Sequence, residues 1–558
     1  MTTRRIALLG LGVAAALGLV GGARMLWRGA LGGPGGEPQP SPCVDKATIQ
    51  VTANPPAILW RQSSVISWTV ALPSGCPFVQ VQLNGEPVER TGSKEVFPPR
   101  SRPYAVTVSG GSTTKQATVR VEVTYPARVV IGPDTKDPVP VLVGALVDSQ
   151  NEAQTVELCD VDLDLTGYSF VGTALDNRSL IASPGCERSP RRRGPRIFVN
   201  DKRDRSHPLF AFGGDHFLMS GFRLRGPTVV IGSGEDNDEV AVLIAPTERE
   251  GETLGLVQSM EVSNMEIYWW SGVGIKVQDN SATASLGRLV NTNVGAVHIK
   301  GNYIHHNQHD NDDGYGVDVT NGGYALIEQN VFETNRHAIA GGSHNGAKTD
   351  FSGYTARDNL ILAGGGSHCV WWVICWRTHQ IDMHGDESHP FNPDCCGIAG
   401  ETIIIERNTI LYTDGLAIKI RGSPLDKAVV DGNVFKHESS GAAIAQNDGD
   451  RKPIDIRPNN VFGVDPSQGL ARCDFVGDRT IADEFMATGV TWWARSGITH
   501  QWRFLNSMPG RLSDLKLGDV DGDKACDVVP LASFPGARGA RYSKSGTSGW
   551  IPLSFREL

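Results

Sequence analysis

Positive charge is in short supply in this chain: 52 Lys and Arg against 61 Asp and Glu give a formal net charge of −9 over 558 residues. That deficit argues against nucleic acid as a general partner, because phosphates are neutralised by basic surface. One basic stretch stands apart, where Arg188, Arg191, Arg192, Arg193, Arg196, Lys202, Arg203 and Arg205 crowd a Pro-rich segment. It reads as a solvated loop, with contact to an acidic polymer as the functional alternative. Zinc-knuckle spacing is missing as well. Neither Cys369/Cys375 nor Cys395/Cys396 has the two-residue gap that brings paired thiolates onto one metal. The ten cysteines fall instead into even groups: Cys43 and Cys76; Cys159 and Cys186; Cys369, Cys375, Cys395 and Cys396; Cys473 and Cys526. Even groups predict disulfides in an exported protein, including Cys43 with Cys76 and Cys473 with Cys526. A third absence is that of any amphipathic helix between the short apolar strands of the second half.

What stands there instead is a repeat. Six times an asparagine precedes an Ile or Phe by two positions: Asn302/Ile304, Asn330/Phe332, Asn359/Ile361, Asn408/Ile410, Asn433/Phe435 and Asn460/Phe462. The successive spacings are 28, 29, 49, 25 and 27 residues, so the 49 marks one long insertion. After each Asn comes a short apolar strand, a few polar or Gly residues, and a second strand such as Gly316 to Val319 or Ala417 to Ile420. Two or three short strands per repeat, with asparagines in register, describe a coil in which side-chain amides stack and satisfy backbone groups at the corners. These residues resemble right-handed parallel β-helix proteins, the family that includes many polysaccharide lyases and glycoside hydrolases, over residues 127–470. The fold class expected is all-β.

The N-terminus reads Arg4-Arg5 followed by an apolar run from Ile6 to Ala23, the pattern of an export signal or uncleaved membrane anchor over residues 1–27. Secretion, display at the cell envelope or a periplasmic location are the compartments this implies. A Gly/Pro-rich tether follows over 28–44. Residues 45–126 show short strands with Trp68 in the second and an Asn84-Gly85 turn, and resemble an immunoglobulin-like β-sandwich without any catalytic constellation. In the tail, 471–558, Asp519, Asp521, Asp523 and Asp527 stand at relative positions 1, 3, 5 and 9, a spacing of hard oxygen ligands that suits calcium. The tail resembles FG-GAP or VCBS repeats of β-propellers, with Trp492-Trp493 upstream and Asp474 and Asp478 echoing a weaker first copy. It is too short to close a propeller and is expected as a partial or packed-on unit.

Chemistry is best located by registering the second strands. Alternate side chains of a strand point to opposite sides. With Ile275, Val317, Ile339, Ile381, Ile418 and Ile444 inward, the next residues, Lys276, Asp318, Ala340, Asp382, Lys419 and Ala445, face out toward solvent. Two further on lie Gln278, Thr320, Gly342, His384, Arg421 and Asn447. One face thus gathers acid, base and cation around the small Ala340 and Gly342. Asp318 and Asp382, two rungs apart, have backbones separated by roughly 10 Å, within reach of the acid–base separation of about 6.5–9.5 Å in an inverting glycosidase. A lyase would instead set Lys419 or Arg421 against a uronate carboxylate and use Asp382, His384 or His337 as base. Arg336, Lys276, Trp371 and Trp372 are the further substrate-binding candidates, the tryptophans by stacking on sugar rings. His305, His306, His309, Asp310, Asp312 and Asp313 form a second cluster with no defined ligand spacing. The expectation is an exported protein that cleaves a polysaccharide, with a non-catalytic adhesin or carbohydrate-binding protein as the alternative and no organic cofactor.

Overall fold

A computed structural model describes residues 42–552 apart from brief breaks and the longer stretches 75–78, 148–154, 174–177, 187–193, 203–206, 213–216, 229–238, 246–259, 279–296, 309–312, 343–350, 387–395, 476–481 and 532–540. The apolar N-terminal run lies outside the described residues. Among those described, no helix is long and apolar enough to cross a membrane. The chain divides into two compact units between Ala127 and Arg128.

In the first unit, an antiparallel sheet of Thr48–Asn54, Ser64–Ala71 and Thr91–Val96 and a second sheet of five strands enclose one apolar core. Alternation explains it: Ile66, Trp68 and Val70 point in from one sheet, Tyr104, Val106 and Val108 from the other. The Trp68 indole donates to the Glu89 carbonyl at 2.8 Å. At the expected turn Asn84 and Gly85 both take positive φ, as a tight hairpin requires.

The second unit is a parallel β-helix solenoid. Three sheets of 11, 9 and 9 strands run along it, and nearly all their strands pair in parallel with the equivalent strand of the next rung. One apolar core fills it from Ile131 to Ile444, each fully buried Ile or Phe being worth about 2 kcal/mol relative to exposure. The predicted asparagines form a continuous ladder at the corner between the first and second sheets. Asn302 Nδ2 donates to Asn330 Oδ1 at 2.9 Å, and the chain continues through Asn359, Asn408, Asn433 and Asn460. Each amide oxygen also accepts a backbone N–H, as Asn359 Oδ1 does from Asn330 at 3.0 Å, so corner groups that sheet pairing leaves over are satisfied. A shorter ladder, Asn307 to Asn335 at 3.0 Å, marks the next corner.

Both ends differ from the rungs. The helix Pro138–Val147 packs Leu142, Ala145 and Leu146 onto the first rungs and closes that end. At the other, the last strand of the first sheet is Asp455–Ile456, two exposed residues. Beyond it an antiparallel sheet of Ala471–Cys473, Asp483–Gly489, Trp492–Arg495 and Trp502–Asn506 forms the tail, tied by the Cys473–Cys526 disulfide. Met486 and Trp493 of this sheet pack on Val331 and Leu360 of the solenoid's second sheet and on Leu411, which follows its strand Thr409–Ile410. Trp492 fills the tail's own core, so this tryptophan pair serves packing on two sides.

Of the expected disulfides, Cys473–Cys526 and Cys159–Cys186 are formed, and Cys396 is disulfide-bonded. The Cys43 side chain and Cys76 lie outside the described residues.

Candidate functional site

The register of the third sheet holds. Ile275 pairs with Val317, Val317 with Ile339, Ile339 with Ile381, Ile381 with Ile418 and Ile418 with Ile444. Lys276 therefore lies beside Asp318, Asp318 beside Ala340, Asp382 beside Lys419 and His384 beside Arg421. The face is not open to solvent, and here the expectation is corrected. Asp382 is fully buried, and Asp318 and Arg421 are nearly so. The outward charges pair with one another, and where the insertion returns at Cys396 it lies against Gly385 at the strand end. A Cβ added to Gly385 would come within 1.8 Å of the Cys396 carbonyl, so only glycine fits where the insertion returns.

Asp382 is the hub. Arg421 grips it with both nitrogens, Nε to Oδ1 at 3.2 Å and Nη2 to Oδ2 at 2.9 Å. His379 Nε2 lies 3.2 Å from Oδ1 and His384 Nε2 2.8 Å from Oδ2. Burial alone pushes this carboxyl up, but the charges of His384, His379 and Arg421 outweigh it and hold the group well below the usual carboxylate range. It is held as an anion among four nitrogen atoms. Burial holds His379 below the usual imidazole range despite Asp382 beside it. The Tyr354 hydroxyl donates to the Asp382 carbonyl at 2.8 Å, fixing the backbone as well.

The other candidates are committed elsewhere or lie aside. Asp318 pairs with Lys276 at 3.2 Å, which takes that lysine out of the substrate-binding set. Arg336 is buried, donates to the Tyr315 hydroxyl at 3.1 Å and lies over the Tyr315 ring, so it braces the site from inside. His337 is fully buried rather than presented to substrate, and its Nδ1 meets the His379 carbonyl at 2.5 Å. Burial, with the His379 and Arg336 charges, holds its imidazole well below the ordinary range. Trp371 and Trp372 lie outside the described residues. Trp376, on the hairpin Ser367–Val370/Ile374–Arg377 leading into His379, is exposed. In the second cluster, His305 stacks on Tyr268 and contacts Glu266 at 3.2 Å, and Asp313 is buried; His309, Asp310 and Asp312 are outside the described residues.

His379 and Tyr315 were missed by reading forward from each inward apolar residue. Read two positions back, Val317, Ile339 and Ile381 give Tyr315, His337 and His379, a column whose rings stack at 5.4 and 4.3 Å.

In the tail, Asp519, Asp521 and Asp527 bring oxygen atoms within 4.8 Å of one another. Their carboxylates cap the loop's own amides, Asp519 accepting from Gly522 at 2.8 Å and Asp527 from Val520 at 2.9 Å. The Lys544 ammonium sits 2.7 Å from Asp521 and 2.9 Å from Asp523 and offsets part of the loop's negative charge.

Among solved structures, the chain is similar to the catalytic unit of a thermostable GH87 alpha-1,3-glucanase from Streptomyces thermodiastaticus strain HF3-3, with 12% identity and a TM-score of 0.34 over 72% of this chain and 78% of that one. A likeness so distant carries no information about chemistry. No protein-family model matches the chain, and no curated protein matches it.

Proposed function

We propose that this chain is an exported carbohydrate-active protein that binds a polysaccharide along the third sheet of its β-helix and cleaves it by proton abstraction, with His384 as the acid–base group. One observation carries the reading: His384 meets the buried Asp382 carboxylate through Nε2 at 2.8 Å while about a third of its side chain, 29%, stays exposed. Facing an anion, Nε2 keeps the proton, and Nδ1 is left as the basic nitrogen. Asp382 then positions and does not itself exchange protons.

The two-carboxylate route to hydrolysis fits less well. It needs one carboxyl able to give a proton and one able to take it, on opposite sides of the scissile bond. Asp382 is sealed and ionised, and Asp318 is paired with Lys276. Elimination from a uronate-containing chain asks for a base and a cation near the sugar carboxylate. Lys419, the strand neighbour of Asp382, supplies the positive charge, and the exposed Trp376 a surface for a sugar ring. Arg421 is committed to Asp382 and drops out of substrate binding.

The competing reading is a non-catalytic adhesin or carbohydrate-binding protein, favoured by how completely Asp382 is satisfied. Incubation with a panel of acidic and neutral polysaccharides, following reducing ends and the ultraviolet absorbance of unsaturated products, separates the two. Turnover on an acidic polymer that falls by roughly 10²- to 10⁴-fold in a folded His384→Gln variant supports the proposal. Wild-type turnover in that variant, or saturable binding with no cleavage by the parent, discards it.

The tail loop of an FG-GAP or VCBS-like module would hold calcium through Asp519, Asp521 and Asp527, with the ion displacing Lys544. Chelation should lower the melting temperature of the full chain; an unchanged transition removes calcium from the account.

A further inference from the structure

We propose that His337, His379 and Asp382 form a buried binding site for a divalent transition-metal ion of the zinc or cobalt type. Each offers one ligand atom, and the three atoms lie within 4.8 Å of one another. Independently, Nε2 of His337 has no hydrogen-bond partner although the residue is fully buried. A buried ring nitrogen without a partner costs about 1–3 kcal/mol, and an ion or an ordered water is the ordinary explanation.

The tautomer is fixed in the sense a metal needs. A carbonyl only accepts, so the 2.5 Å contact to the His379 oxygen puts the proton on His337 Nδ1 and leaves the Nε2 lone pair to bind. Metal-bound histidines are commonly held this way, the second ring nitrogen donating to a backbone carbonyl. Stacking between Tyr315 and His379 holds the ring in place. In a tetrahedral zinc site with bonds near 2.1 Å, ligand atoms stand about 3.4 Å apart. His379 Nε2 and Asp382 Oδ1 are already 3.2 Å apart, and one ligand atom from each of the three residues lies within 4.8 Å of the others. Two imidazoles and one carboxylate select a borderline-soft ion over calcium or magnesium. Three protein ligands leave a fourth position for water or a substrate oxygen.

Arg421 is the obstacle and also explains how the metal-free chain holds together. Its Nη2 lies 3.3 Å from His379 Nε2 and 2.9 Å from Asp382 Oδ2, so a guanidinium charge occupies part of the site. Metal binding requires Arg421 to release His379 Nε2 and Asp382 Oδ1 while its Nη2 keeps Oδ2, and His379 Nε2 to give up any proton it holds toward Asp382. The other charges facing the cluster are Arg336 on the Tyr315 side and Lys419 on the adjoining strand. The site shares Asp382 with the functional reading but does not rest on it, and the test reads no turnover.

The full chain, without a histidine tag and stripped with chelator, is titrated with cobalt(II). The expected result is one equivalent bound with a visible d–d spectrum, displaced by zinc, and binding at least about 100-fold weaker in His337→Phe, which keeps the stacked ring without the nitrogen. X-ray absorption on the zinc-loaded parent should show two imidazoles in the first shell. That measurement decides the matter even if the variant fails to fold. No stoichiometric binding by the parent, an all-oxygen shell without imidazole, or unchanged affinity in folded His337→Phe overturns the site and leaves water as the partner of Nε2.

Discussion

Asp382 and His384 are separated by one residue and should respond to substitution in opposite ways. Removing the charge of Asp382 leaves Arg421 buried without its anion, so Asp382→Asn is expected to cost about 3–5 kcal/mol in urea unfolding. His384 is partly exposed, and His384→Gln should cost about 1 kcal/mol or less while removing the base. A stable Asp382→Asn protein would mean that the network is less closed than its distances imply. Glu328 gives the pH counterpart. Burial pushes its carboxyl up, but hydrogen bonds and charge from His298 at 2.9 Å and Arg357 at 2.7 Å outweigh this and hold it at about 2. A carboxyl depressed in the folded state binds fewer protons there than when unfolded. Its stabilisation is therefore full above the unfolded value of about 4.3 and is lost as pH falls toward 2. The stability gap between the parent and Glu328→Gln should be widest near neutrality and narrow below about pH 4; a gap that is constant from pH 6 to pH 3 would show that no such proton linkage exists.

At the scale of elements, the asparagine ladder was legible in the sequence because its spacing is periodic and its chemistry is repetitive. So was the strand register, since one inward apolar residue per rung sets every neighbour's direction. Solvent access was not legible. Alternation says that Asp382 points away from the core, and only the fold of the insertion decides whether anything covers it. The two-member Asn307/Asn335 ladder offered too little repetition to notice. The helix Pro138–Val147 was invisible for another reason: PVPVLVGALV is apolar on all sides and carries no helical period. The ladder makes a graded prediction. Asn359→Ala strips partners from Asn330 N, Asn330 Nδ2 and the Ile327 carbonyl, and should cost about 3 kcal/mol or more. Asn460, the half-buried last member, should cost markedly less when changed the same way, as parallel urea titrations would show; equal costs would mean that burial does not set the worth of the stack.

For the whole molecule, an apolar contact ties the tail to the solenoid. Trp493 is fully buried between the tail sheet and Val331, Leu360 and Leu411. Trp493→Ala should therefore cost about 3–5 kcal/mol and make the tail the first part to become protease-sensitive. Unchanged proteolysis would place the anchorage elsewhere. The ends of the solenoid have a different consequence. A stack of parallel strands is by nature a template, each rung offering the next one its unpaired backbone groups, and identical molecules could join end to end into a fibre. The helix Pro138–Val147 packs on the first rungs at one end. At the other, Asp455–Ile456 is only two residues long, and Arg457 bonds Asp455 and Asp431 at 3.1 Å beside it, so an incoming strand would meet a short edge studded with hydrated charge. The same repetition that builds the scaffold is thus kept from running on into a polymer.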